Sequence, residues 1–255
     1  MKPSDEFLKR IEDRLDALLS SAPAPLPEPK AEGGGRNFKP SESAFDSPSL
    51  MPSASRRTKA PDGKVFAEAL AELDSLVGLE GVKRQVRRFA RFAQIESERR
   101  SLGMEATEIS VHAVFVGSPG TGKTTVARIM GRLLKGAGLL SEGHTVEVDK
   151  SGLVGPYLGQ TPEKVAAALK RAHGGVLFVD EAYSLTHDER DLYGKEAVDC
   201  LVKGMEDRRG DLMVIVAGYP EQMRKFVASN PGLRSRFGRT YPFEDYTLDQ
   251  LAEIF

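Results

Sequence analysis

The chain has no tryptophan, one cysteine and almost no net charge, −1 over 255 residues. A single cysteine, Cys200, rules out an intrachain disulfide framework and fits a reducing compartment. It stands beside Ala197, Val198 and Leu201 in a helical pattern, the setting of a small core residue rather than a nucleophile. The balanced charge supplies no global field to recruit nucleic acid or an anionic membrane. No apolar run reaches the roughly 18 residues that a membrane span needs. At the N-terminus, Arg14 and Asp16 break up what a secretory leader would keep apolar. The expected location is cytoplasmic.

What the chain does have is a sharp change of composition along its length. Residues 1–20 read as a short amphipathic helix, with Ser4 as cap, Asp5 and Glu6 in the first turn, and Leu8, Ile11, Leu15 and Leu18 on one side. So short a helix is marginal alone, so it is expected to dock on a partner or pack back on its own domain. Residues 21–63 are rich in Pro, Ser and Gly, including Gly33-Gly34-Gly35, and read as a flexible linker. From residue 64 to 246 the pattern is regular. Helices are expected at 65–74 and 80–101, the second with Val82, Val86, Phe89 and Ala93 inward and Arg84, Arg87, Arg88 and Arg91 on a solvated face. Strands are expected at 111–116, 144–148, 176–179, 212–217 and 240–243, with helices from 125, over 162–172 and over 195–207. Alternation of this kind implies an α/β fold with a parallel five-stranded sheet covered on both faces.

Between the first strand and the next helix lies Gly117-Ser118-Pro119-Gly120-Thr121-Gly122-Lys123-Thr124, a match to G-x-x-x-x-G-K-[ST], followed by Thr125. Glycines let backbone N–H groups turn inward around phosphate oxygens, and the helix N-terminus adds partial positive charge. Lys123 is expected on the β- and γ-phosphates and Thr124 on Mg²⁺. About 60 residues later, Val176-Leu177-Phe178-Val179 ends in Asp180-Glu181. A buried strand ending in Asp180 supplies an oxygen ligand for Mg²⁺, and Glu181 suits polarisation of a water. ATP and Mg²⁺ are therefore the expected cofactors, and hydrolysis the expected chemistry.

These pieces, followed by Asn230-Pro231-Gly232-Leu233-Arg234-Ser235-Arg236-Phe237, resemble an AAA+ ATPase. The closer likeness is to the branch of red-type rubisco activase, sporulation stage V protein K and the ATPase of type VII secretion. It is carried by Leu76-Val77-Gly78-Leu79-Glu80, Leu153-Val154-Gly155-Pro156-Tyr157-Leu158-Gly159, Gly174 to Tyr183, and Ala217-Gly218-Tyr219, and it covers residues 73–255. The resemblance implies that Gly78 and Leu79 meet the adenine, together with a nucleotide set of Gly117, Pro119, Gly120, Thr121, Gly122, Lys123, Thr124 and Thr125. It implies an arginine finger at Arg236, with Arg234 as the alternative, reaching the nucleotide of a neighbouring subunit in a homo-oligomeric ring, usually a hexamer. Such a finger is worth about 10³–10⁵ in rate. It also implies a pore loop at Tyr157, Leu158 and Gly159 that grips polypeptide, a second loop at Asp191-Leu192-Tyr193-Gly194, and a first-sensor region at Tyr219.

Three functions follow. The leading one is a protein-remodelling motor, with the rubisco large subunit as one substrate and secretion or sporulation service as others. The alternatives are a nucleic-acid AAA+ motor, which balanced charge and the aromatic pore loop argue against, and a nucleotide-gated scaffold. Residues 247–255 open a capped helix through Thr247 and Gln250, with Leu248, Leu251, Ile254 and Phe255 apolar, and then the chain stops. The helical lid and second sensor of the family are missing from this sequence, and the expectation is a fragment of a longer ATPase.

Overall fold

Three short apolar strands buried on both sides, with a more exposed strand at each edge, give this chain its frame. The computed structural model describes residues 61–104, 110–157, 159–187 and 191–254. The expected N-terminal helix, nearly all of the expected linker, Leu158 and Phe255 lie outside them. The strands are β1 (Ala113–Val116), β2 (Thr145–Val148), β3 (Val176–Val179), β4 (Met213–Gly218) and β5 (Thr240–Pro242). All pairings are parallel, in the order β2-β3-β4-β1-β5, as the alternating pattern predicts.

The period of two along each strand divides the core between the two faces. Phe115, Phe178, Ile215 and Tyr241 point into one layer. It is covered by α1 (Gly63–Ser75), α2 (Glu80–Ser101) and α3 (Lys123–Gly136). Val114, Leu177, Val179, Val214 and Val216 point into the other. There the cover is α5 (Gln160–Arg171), α6 (Leu192–Asp207), α7 (Pro220–Ala228) and α8 (Pro231–Arg236). A one-turn α4 (Lys150–Leu153) follows β2, a 3₁₀ turn (Ala182–Leu185) follows β3, and α9 (Leu248–Ile254) ends the described chain. All four expected inward residues of α2 are buried.

Several boundaries differ from the sequence reading, each for a local reason. The linker expected through residue 63 gives way earlier, because the Asp62 carboxylate accepts from the backbone N–H groups of Lys64 and Val65 at 3.1 and 3.2 Å and starts α1. The expected loop at Asp191-Leu192-Tyr193-Gly194 is instead the first turn of α6. Asp191 caps it by accepting from the Gly194 N–H at 2.9 Å. Helices α7 and α8 have no counterpart in the sequence reading. Each is short and opens with proline at its first position, a residue more often read as a break. The capping box at Thr247 and Gln250 is present, with reciprocal bonds of 3.0 and 3.3 Å. None of α9's residues is buried, and Leu248 is 85 % exposed.

Candidate active site

The loop after β1 is shaped by two glycines, one fixed by lack of space and the other by its backbone conformation. Gly117 has φ +155°, and a Cβ there would sit 2.5 Å from the Phe243 carbonyl oxygen. Gly122 has φ +84° and opens α3 without a side-chain cap, so its helix N-terminus is left bare. Thr121 is buried and fixes the turn by donating to the Ser118 carbonyl at 2.8 Å. Lys123 is also buried, and its ammonium donates to the carbonyls of Gly117 and Ser118 at 3.0 and 2.6 Å. Burial holds that ammonium below the ordinary lysine range, while Asp180, Asp245 and Glu181 pull the other way.

The loop residues Gly117, Pro119, Gly120, Gly122, Lys123, Thr124 and Thr125 line a cavity of about 340 Å³. Its other wall is Asp180 and Glu181 from the end of β3, with Gly218 and Tyr219 from the end of β4. Asp180 uses one carboxylate oxygen to accept from the Glu181 N–H at 3.0 Å. Glu181 itself has φ +47°, ψ +41°, a left-handed conformation rare outside glycine, and its side chain is exposed. Gly78 and Leu79 lie outside this cavity, and Leu79 approaches its edge at Gly122. A Cβ at Gly122 would stand 3.5 Å from Leu79 Cδ1 and 3.2 Å from the Tyr246 hydroxyl.

The donor set fits Mg²⁺ bound chiefly by phosphates. Among the described residues no group of three or more His, Cys, Asp or Glu forms a metal cage. Thr124 and Asp180 are the sparse oxygen set such a site uses, since Mg²⁺ keeps waters and shares substrate phosphates.

A second cavity, of about 810 Å³, shares Asp180 and Glu181 and runs to Gly155 and Pro156 at the foot of the expected pore loop. Beyond that foot Tyr157 is 70 % exposed, and Gly159 starts α5 at φ +83°. Arg234 and Arg236 are not in either cavity. They sit in α8, Arg234 exposed and Arg236 packed beside His112, near the opposite end of β1 from the loop.

Three residues at this site escaped sequence reasoning. Tyr183 returns over Glu181 on the 3₁₀ turn and packs against Tyr219, ring centroids 6.2 Å apart. Burial, then the charge of Glu181, raises its phenol above the ordinary range. Asp245 and Tyr246 come from the irregular stretch between β5 and α9, where no periodicity marks them.

A phosphate-loop turn into a bare helix N-terminus, a buried strand ending in Asp-Glu beside it, and this parallel strand order define a P-loop NTPase fold. Residues 113–245 match the model of the ATPase family associated with various cellular activities (AAA). The chain belongs to that AAA family. It is 41 % identical over 201 residues to stage V sporulation protein K of Bacillus subtilis, covering 79 % of this chain and 62 % of that protein. It is 47 % identical over 189 residues to the chloroplastic ribulose bisphosphate carboxylase/oxygenase activase of Cyanidioschyzon merolae, covering 73 % and 62 %. Protein CbbX of Cereibacter sphaeroides is 46 % identical over 196 residues, covering 76 % and 63 %. The chain thus spans slightly less than two thirds of these relatives' lengths. A crystal structure of the FIGL-1 AAA domain in complex with ADP superposes with a TM-score of 0.51 at 20 % identity, over 71 % of this chain and 57 % of that one, a likeness of fold.

Proposed function

We propose that this chain is the ATP-hydrolysing module of a ring-forming AAA+ motor that remodels a protein substrate. The observation that carries the reading is the single cavity in which Lys123 and Thr124 face Asp180 and Glu181. Gly117, Pro119, Gly120, Thr121, Gly122 and Thr125 shape the phosphate cradle, with Gly78 and Leu79 on the adenine side. Lys123 has three donors and spends two on loop carbonyls, which leaves one for a phosphate oxygen. Thr124 and Asp180 would hold Mg²⁺, which when bound would neutralise phosphate charge. Glu181 takes the proton of the attacking water, with Tyr219 on the same cavity wall and Tyr183 packed behind it. Arg236, rather than the exposed Arg234, is the finger that meets the nucleotide of a neighbouring copy.

Such a finger makes activity depend on a homo-oligomeric ring, for which a hexamer is the proposed state. Tyr157, Leu158 and Gly159 form the pore loop, and the cavity shared by Asp180, Glu181 and the loop's foot supports coupling between hydrolysis and grip. Kinship with a rubisco activase makes the rubisco large subunit one proposed substrate; a cytoplasmic location is proposed from the single cysteine and balanced charge, and not from that chloroplastic relative.

The test is ATP turnover with Mg²⁺ by the wild-type chain and by Glu181→Gln. The variant is expected to bind ATP and assemble while losing about 10²–10⁴-fold in turnover, the usual worth of a general base. Unchanged turnover overturns the assignment. Salt-sensitive stimulation by DNA would replace the protein substrate with nucleic acid.

A further inference from the structure

Arg236 does not extend away from its own protomer. Its Nη2 donates to Glu206 Oε2 of α6 at 2.6 Å, and its Nη1 donates to the Gly232 carbonyl of its own helix at 3.1 Å. Only 20 % of its side chain is exposed, and its Nε–H is buried without an acceptor among the described residues. The same Glu206 oxygen also pairs with Arg209 Nη2 at 3.0 Å. One carboxylate oxygen is therefore shared by two guanidiniums, on the rim of a cavity of about 150 Å³ lined by Arg209, Arg236 and His112.

We propose that Glu206 is a positioning residue that parks Arg236 on its own protomer, and that Arg209 retains the carboxylate when Arg236 leaves for a neighbour's nucleotide. The inference rests on the reading of Arg236 as the finger. Removing one partner of an ion pair is costly when the other is left alone. Here Glu206 keeps Arg209, so departure of Arg236 strands no charge. Arg236 meanwhile exchanges a carboxylate and a carbonyl for phosphate oxygens, which accept two of its donors in a planar fork. Loss of the carboxylate therefore favours the phosphate position, and the carboxylate sets the balance between the two.

The two residues bound to Glu206's role predict opposite signs. Neutralising Glu206 weakens the parked state; removing Arg209 leaves Arg236 as the sole partner in this shared pair and strengthens it. Turnover is measured against concentration of the full chain at saturating ATP. Glu206→Gln should lower the half-maximal protein concentration about two- to fivefold, the span a partly exposed ion pair supports. Arg209→Gln should raise it by a similar factor, and Glu206→Asp should return it towards wild type. A structural role alone would move both neutral variants in the same direction, and that result, or no shift in either, overturns the parking role. If Glu206→Gln does not fold, Arg209→Gln decides, since absence of an upward shift is equally fatal. Arg236→Ala separates the premises: lost turnover upholds the finger, while surviving turnover overturns the finger and the parking role with it.

Discussion

β1 has a buried basic side chain near each end, and the two have opposite neighbours. Past its carboxyl end the charges of Asp180, Asp245 and Glu181 oppose the effect of burial on Lys123 without cancelling it. Before its amino end His112, 5 % exposed, faces Arg236 and Arg209, with Glu206 as the opposing charge. Burial first, and then those arginines, push the imidazole down to about 4. Its Nδ1 accepts from the Val214 N–H at 3.0 Å, so the ring is held neutral as an acceptor that ties β1's entry to β4. Burial lowers both groups; at the lysine the neighbouring carboxylates work against it, and at the histidine the neighbouring arginines add to it. One end keeps a charge ready for a phosphate; the other keeps a neutral ring beside a parked cation.

The largest test of this contrast separates the ends by what they lose. Arg236→Ala should lower turnover by about 10³–10⁵ while leaving ATP affinity close to wild type. Lys123→Ala should weaken ATP binding itself and lower turnover by at least about 10², as loss of a fixed donor to developing charge does. If both variants lose affinity equally, the division of labour fails.

Acid sharpens the contrast further. An unfolded His112 takes up its proton near 6.5, whereas the folded one stays neutral down to about 4. Between those values the unfolded state binds more protons, so stability is full above 6.5 and is lost as pH falls. The loss by pH 4 should approach about 3 kcal/mol in urea unfolding, at about 1.4 kcal/mol per unit. His112→Gln, which keeps an acceptor for Val214, should flatten that dependence. The smallest effect is expected from Asp245→Asn. Removing one carboxylate that raises Lys123 should move the alkaline decline of ATP affinity to lower pH, read by nucleotide titration across pH.

The loop end was legible because its chemistry is local. Eight consecutive residues carry the phosphate cradle, and four apolar residues announce the Asp180-Glu181 pair. The sheet was legible because its three central strands are short and apolar and the strands alternate with helical periodicity. The other end was not, since Glu206 lies 30 residues before Arg236 and meets it only through the packing of α6 on α8. Tyr183 stood in plain view two positions past Glu181, yet its return over that carboxylate depends on a 3₁₀ turn that composition does not signal. Short proline-led α7 and α8 were missed because three turns or fewer give little periodicity to count.

The strand order has a metric consequence. β4 lies between β1 and β3, and its Gly218 carbonyl accepts from the Gly117 N–H at 3.1 Å. Neighbouring strands repeat at about 4.8 Å, so the strand that delivers the phosphate grip and the strand that delivers the acid pair are held roughly 10 Å apart. Backbone hydrogen bonding, not side-chain reach, is the ruler that fixes this gap, with Tyr219 at its midpoint. Gly218 is a tight mark on that ruler: a Cβ there would lie 2.7 Å from the Tyr183 ring and 2.9 Å from Met223 Sδ, so those side chains or β4 itself would have to move. Shifting β4 to relieve that collision would change the spacing to both neighbours at once.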